Sequence, residues 1–548
     1  MNKLISVLIS TFLLSTNLYA ENRSESDGAA SRIEADVRFL ASDLLEGREA
    51  GTRGYDLAAA YVAERLRAIG LEPGVGDSYL QQVPLVEFEP ASENYGELTI
   101  MRDGVPIDLV QGVDYAVLPN VMSRSSEVEG PLVFVGQGID SPFFGRNDYK
   151  GLDLKGKIAV YFISTDPTLP SEEAAHFRRM ILGNVSDRGA VGALTLYTPG
   201  FEKIIAFEKL AKMVKSDSRM RWLEDNGTPH EMAPNIKAGA FLSDTVGEKL
   251  FAYGDLSWES ILEKIKTGEV PSFDMEITAR IKTESRHRNL FSHNVVGVLP
   301  GSDPKLRNEF VLVTGHLDHE GVKTGHSPES DQLFNGAMDN AVGIATMLEV
   351  ATQMAKNPPR RSVIFLAVTA EEKGLIGSDY YAHNPTVDKR SIVANINIDM
   401  PVLTYEFEDV VAFGASHSSL KQLAAESIEG LGVQLVPDPA PEQAIFVRSD
   451  QYSFVKQGVP AIYLDTGPGG EGKEATGKFF EEHYHEPSDE WSLIRYPVAA
   501  KFSLLNQKIT AAVANAEERP RWNEGDFFSV TFGPEKNRLP EQALRTPK

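Results

Sequence analysis

Residues 310–321 read FVLVTGHLDHEG. Phe310 to Thr314 is a short apolar run of the kind found in strands covered on both faces, and it stops abruptly at Gly315 and a cluster of polar side chains. Three more runs share that character: Val363 to Val368, Ala394 to Ile398 and Ala461 to Leu464. Between the first two, Ala341 to Met354 places Ile344, Met347, Leu348 and Ala351 on one helical face. Buried strands alternating with amphipathic helices predict an α/β fold with a mixed, mostly parallel central sheet and helices on both faces. Functional residues of such sheets gather just past the carboxyl ends of the strands. His316, Glu371, Glu372 and Asp399 all fall within a few residues of a predicted strand end, while Asp339 and His485 lie in loops.

Upstream, Ile33, Val37 and Leu40 recur at helical spacing, as do Leu57, Ala60, Tyr61 and Leu66 after the turn-rich stretch Glu46 to Gly54. From about Asn120 to Glu284 the character changes to short β-rich runs such as Pro131 to Val135 and Lys157 to Ile163. The expected organisation is a signal segment at 1–20, an N-terminal part of the main domain at 29–120, an inserted β-rich domain at 121–285, the remainder of the main domain at 286–516 and a tail at 517–548. The tail, rich in Pro, Glu and Arg, has the composition of a poorly ordered segment without chemistry.

Lys3, the apolar run Leu4 to Leu18 and the small residue Ala20 fit a signal peptide; the run is shorter than the ~20 residues that span a bilayer. The expectation is an exported protein, periplasmic or secreted, with no stable membrane insertion after cleavage. Among 548 residues there is no cysteine, which excludes structural disulfides, thiolate zinc sites, a lipid anchor on Cys and a Cys nucleophile. The formal charge is -24, and an acidic surface of that size repels nucleic acid and anionic lipid, so neither is an expected partner.

The candidate chemistry lies in one ordered set. His316 and Asp318 are two apart on an extended segment, so Asp318 can accept a hydrogen bond from the distal nitrogen of His316 and orient it for a metal. Asp339 precedes the predicted helix in NGAMDNAVG; it can bridge two metal ions with its two oxygens, or Asp339 or Asn340 can simply cap the helix. Glu371 and Glu372 are surface charges if their loop is solvated, but at a strand end they can diverge, one to metal and one to water. Asp399 ends an apolar strand and needs a metal or cation to balance a buried charge. His483 and His485 are two apart, and either can face a metal. A set of histidines and carboxylates without thiolate suits catalytic zinc better than a structural site.

GHLDHEG, NGAMDNAVG, TAEEKGLIGS, NIDM and YHEPSDEW, in this order, resemble the co-catalytic di-zinc aminopeptidases, a family that also includes glutaminyl cyclases, glutamate carboxypeptidase and the non-catalytic transferrin receptor. RFLASDLLEGREAGTRG resembles the N-terminal segment of bacterial members, RSDQYSFVKQGVPAIYL the substrate-side loop and following strand, and Gly130 to Gly156 with Gly189 to Tyr197 a protease-associated domain inserted in such enzymes. The resemblance implies two Zn2+ ions: His316 and Asp399 on one, Glu372 and His485 on the other, Asp339 bridging, Glu371 as general base and Asp318 behind His316. It selects His485 over His483. Met338 stands where the family often has a second Asp, and Gln451 where many members carry His. The implied activity is removal of the N-terminal residue from peptides with a free amino terminus. Alternatives are a carboxypeptidase or dipeptidase, for which Arg448 is a candidate carboxylate partner, a glutaminyl cyclase, which would use one zinc, and a non-catalytic binding protein. Oligomeric state has no signature in the sequence.

Overall fold

The computed structural model describes residues 26–164, 166–252, 254–323 and 331–534. The signal segment expected at 1–20 and the end of the tail lie outside them. The described chain divides into two units, the first built from 26–83, 292–439 and 448–534, the second from Pro84–Phe291 and Ala440–Val447.

In the first unit, helix α1 covers 26–40 and α2 Arg53–Ile69. The long strand β1, Phe273–Leu299, enters the unit with its last residues and is followed by β2 (Phe310–His316), α3 (Val342–Lys356), β3 (Ser362–Val368) and α4 (Ile376–His383). Then come β4 (Ile392–Asn397), β5 (Asp409–Phe413), β6 (Gln434–Val436), β7 (Ala461–Thr466) and α5 (Tyr496–Asn515). Strands β3, β2, β4 and β7 are neighbours in that order and all parallel. β1 joins antiparallel to β3 on one side, and β5 antiparallel to β7 on the other, with β6 parallel beyond it. This is the expected mixed, mostly parallel α/β sheet.

Every residue of β2 from Val311 onward, and all of β3 and β4, is buried, which explains why these strands read as continuous apolar runs rather than as alternating ones. Helix α3 is buried from Val342 to Ala351 on all sides, including Glu349, whose carboxylate takes two hydrogen bonds of 2.7 Å from the Arg32 guanidinium of α1. The register of α2 differs from the expected one. Its inward face is Tyr55, Ala58, Ala59, Val62, Ala63 and Leu66, whereas Leu57 and Ala60 face solvent, because alanines allow close helix packing and carry little pattern of their own.

The second unit begins earlier than expected, at Pro84 rather than 121. Strand Gly96–Arg102 pairs antiparallel with 278–283 of β1, and Tyr115–Val117 pairs with Ala240–Leu242, so both belong to this sheet. Ser125–Phe134, Ile158–Phe162, Gly192–Leu196 and Ala238–Leu242 form its parallel portion. The unit is also less purely β than expected, since it carries helices Ser171–Asp187, Phe207–Ser216, Asp244–Phe251 and Trp258–Thr267.

The tail is a second correction. Trp522 is buried and its indole donates to Gly458 O (2.9 Å), Asp526 accepts from Phe528 N and Ser529 N at the start of helix Phe527–Phe532, and Phe527 and Phe528 are buried. The aromatic residues of this stretch supply the apolar area that a charged, proline-rich composition hides. No helix among the described residues is long and apolar enough to cross a membrane. Replacing Phe365 of β3, wholly buried in the main core, with Ala should destabilise the protein by about 3–5 kcal/mol, read as a lower denaturant midpoint at unchanged slope.

Candidate metal centre

The carboxyl ends of β2, β3 and β4 deliver one side chain or pair each. His316 is the last residue of β2, Glu371 and Glu372 follow β3 by three and four positions, and Asp399 follows β4 by two. His316 Nε2 lies 2.9 Å from Asp399 Oδ1 and 3.1 Å from Asp339 Oδ1. His485 Nε2 lies 3.2 Å from the other oxygen of Asp339 and 3.4 Å from Glu372 Oε2. Asp339 thus turns one oxygen to each of two separate imidazole–carboxylate groups. His483 points elsewhere, its Nδ1 2.9 Å from Ser488 Oγ.

Asp339 does not cap the helix. The residue before α3 is Ala341, with no side-chain cap, and Asn340 reaches across to the segment after β4 instead, donating to Ile398 O (3.0 Å) and accepting from Met400 N (3.1 Å). The peptide between Asp339 and Asn340 is cis. The turn itself is held by Asp489 of YHEPSDEW, which is fully buried and accepts from Met338 N (2.9 Å) and Asp339 N (3.0 Å). Residues at or beside the candidate site side chains adopt left-handed backbone: Ala370 (φ 53°) before Glu371, Met400 (φ 36°) after Asp399, and His485 itself (φ 54°). Such conformations cost of order 1–3 kcal/mol each in non-glycine residues and concentrate where function fixes a geometry.

Asp318 acts differently from expectation. The Nδ1–H of His316 donates to the Asp318 backbone carbonyl (3.1 Å), while the Asp318 carboxylate accepts from Glu371 N (3.1 Å) and Glu372 N (3.3 Å). The residue therefore orients His316 with its main chain and the glutamate pair with its side chain. On the far side of the same loop, Arg48 from LEGREAG is buried with its guanidinium on backbone carbonyls, donating to Leu317 O (3.0 Å), Asn335 O (2.7 Å), Gly336 O (3.0 Å) and Leu40 O. It ties the segments carrying His316 and Asp339 to the N-terminal helices. Ser449 donates to Asp399 Oδ2, and Tyr463 donates to the Asp399 carbonyl (2.6 Å).

The field of the site favours cations. Burial alone would lower the His316 pKa, but Asp399 and Asp339 raise it well above the ordinary value; His485, under the same opposition from burial, is raised to about 9 by Asp339 and Glu372. Burial raises the Asp339 pKa, yet hydrogen bonds with the two histidines hold it well below the usual carboxylate range. Glu371 behaves oppositely: burial, reinforced by Glu372, Asp399 and Asp450, pushes it well above that range despite His316. The donor atoms of His316, Asp339 and Asp399 lie within 4.8 Å of one another, and His485 Nε2 stands within 3.4 Å of both the other Asp339 oxygen and Glu372 Oε2. Nitrogen and oxygen donors in two such groups around a shared carboxylate fit zinc, and the absence of thiolate fits a catalytic rather than a structural role.

Sequence reasoning missed Asp489, Ser449, Arg48 and Asn340 as parts of this centre. All were inside quoted motifs, but nothing about an Asp or Arg in a polar string reveals that it will be buried against main-chain groups.

Residues 294–510 match the model of Peptidase family M28. Among similar proteins, probable leucine aminopeptidase 2 of Aspergillus oryzae is 26% identical over 275 residues, 47% of this chain and 50% of that protein. Aminopeptidase YwaD of Bacillus subtilis is 31% identical over 144 residues, 26% and 28% of the two chains. The chain spans about half the length, or less, of these curated relatives. Among solved structures, an aminopeptidase from Aneurinibacillus sp. strain AM-1 aligns with 90% of this chain and 98% of its own at 20% identity and TM-score 0.49.

Chelation of bound metal should lower the melting temperature, and added zinc should restore it, since a ligand at ~1,000 times its Kd stabilises by about 4 kcal/mol. Asp339→Ala should make the melting temperature insensitive to zinc.

Proposed function

We propose that this chain is an exported zinc aminopeptidase that removes the N-terminal residue from peptides with a free amino terminus. The observation that carries the reading is Asp339, with one oxygen toward His316 and Asp399 and the other toward His485 and Glu372, inside a segment that matches a peptidase family. The aminopeptidase names of the similar proteins support the direction of cleavage, and the signal-like first twenty residues support export.

His316, Asp399 and one oxygen of Asp339 would hold one zinc ion, and Glu372, His485 and the other oxygen of Asp339 the second. Bound zinc supplies Lewis acidity, making water a better nucleophile and the scissile carbonyl a better electrophile. Glu371 is the general base. It takes a proton from the attacking water as the new C–O bond forms, and returns it to the nitrogen as the C–N bond breaks, so the products are a free amino acid and the shortened peptide. A buried carboxylate with a raised pKa suits both halves of that transfer. Asp318 keeps Glu371 and Glu372 divergent by holding both their N–H groups. Arg448, the side chain a carboxypeptidase would need for the substrate carboxylate, is exposed, which lends that alternative no added support. The second unit is the protease-associated domain of this reading.

Glu371→Gln should retain both zinc ions and lose turnover by ~100-fold to 10,000-fold, measured as kcat alongside metal content. The activity itself is tested with one peptide set supplied free and N-acetylated and read by mass. Stepwise loss of the first residue from the free peptides alone is expected; loss from the carboxyl end in both versions, or no cleavage, would contradict the proposal.

A further inference from the structure

Two side chains directly after Asp318 reach the ligands of the second ion, and the mechanism above uses neither. His319 is fully buried, and its Nδ1 lies 2.8 Å from Glu372 Oε1. A carboxylate can only accept, so Nδ1 carries the proton and donates it. The opposite nitrogen, Nε2, is buried and has no hydrogen-bond partner among the described residues. A buried acceptor left unsatisfied is costly, so this imidazole is a poor choice for stability alone. Its seat is nevertheless tightly shaped. Gly336 (φ 55°) lies against the ring, where a Cβ would come within 2.4 Å of His319 Cγ, and His319 N donates to Arg48 O (3.3 Å). The ring also meets His485 edge-on, with centroids 5.6 Å apart.

Glu320, the next residue, faces the other ligand. Its Oε1 lies 3.5 Å from His485 Nδ1, on the side of the imidazole away from Asp339 and Glu372, and its Oε2 pairs with Lys323. A carboxylate behind the far nitrogen of a metal-binding histidine fixes the tautomer, leaving Nε2 unprotonated for the metal, and increases its basicity. His319 does the equivalent for Glu372. By occupying Oε1 it leaves Oε2, the oxygen nearest His485 Nε2, as the donor and stops the carboxylate from rotating.

We propose that His319 and Glu320 are positioning residues for the second metal ion: His319 fixes the Glu372 carboxylate, Glu320 fixes the His485 ring, and together they set the affinity for that ion without affecting the ion held by His316 and Asp399. The proposal rests on the two-metal reading. It gives Asp318, His319 and Glu320 successive tasks along one loop, on the glutamate main chain, the Glu372 side chain and His485.

The test is zinc binding to the full-length protein by competition with a chromophoric chelator, with no substrate present. The unmodified protein should bind two ions. In His319→Phe, which keeps ring volume and removes the donor, and in Glu320→Gln, which keeps shape and removes the charge, one of the two affinities should fall by about 10- to 100-fold while the other is unchanged. His319→Asn, whose amide can donate near the position of Nδ1, should recover most of the loss. In a His316→Ala background the ion that remains should be the one weakened by His319→Phe. Two affinities that fall together, or two that do not move in Glu320→Gln and His319→Phe, would overturn the proposal. An unmodified protein that binds one ion or none would overturn the two-metal reading beneath it, and that result is visible before any variant is made.

Discussion

The structure depends on a concentration of negative charge out of contact with bulk water. Asp318, Asp339, Asp399, Asp450 and Asp489 are buried, and Glu371 and Glu372 lie among them. Carboxylates in such a space repel one another strongly because little solvent screens them. Burial pushes Asp318 and Asp489 up to about 6 and Asp450 up to about 7, whereas Asp339, facing two imidazoles, is held low. Positive charge placed among the carboxylates relieves that repulsion, and zinc meets the demand with the ligand types present. Arg48 contributes one fixed cation from behind, although its burial lowers its own pKa to about 10.

The scaffold solves a second problem, which is precision. Parallel strands β3, β2 and β4 end side by side, so the residues just beyond them are set by the hydrogen-bond register of the sheet rather than by loop conformation. The two candidate ligands that come from loops, Asp339 and His485, are instead fixed to each other's segments, since Asp489, four residues after His485, accepts the Met338 and Asp339 N–H groups. A movement of either loop would therefore displace both. Asn340 and Tyr463 attach the same turn and the Asp399 main chain to the sheet. Few of these bonds involve a ligand oxygen, which leaves the lone pairs free for metal.

Much of this was legible in the sequence because two of its signals are strong. A strand buried on both faces is a continuous apolar run, and a run that ends in His or Asp marks its carboxyl end, so β2, β3, β4 and β7 and the residues past them could be located. The ordered motifs then chose His485 over His483, which spacing alone left open. What could not be read follows from physics that a linear sequence conceals. The α2 face was misjudged because alanines have no strong preference, and the N-terminal edge of the second unit because Gly96–Arg102 finds its partner nearly 200 residues later in β1. The expected carboxylate contact from Asp318 to His316 is made by the main chain, a distinction of a few dihedral angles that His-x-Asp spacing does not encode. The buried roles of Arg48 and Asp489 depend on main-chain carbonyls and amides, groups every residue has and no motif displays.

The central claim is that two ions share Asp339. It is tested most directly by anomalous diffraction at the zinc edge from crystals of the zinc-loaded protein. The account predicts two anomalous peaks about 3.5–4 Å apart, one beside His316 and Asp399, the other beside Glu372 and His485, with the Asp339 carboxylate between them. A single peak, or a pair that does not flank Asp339, would contradict it.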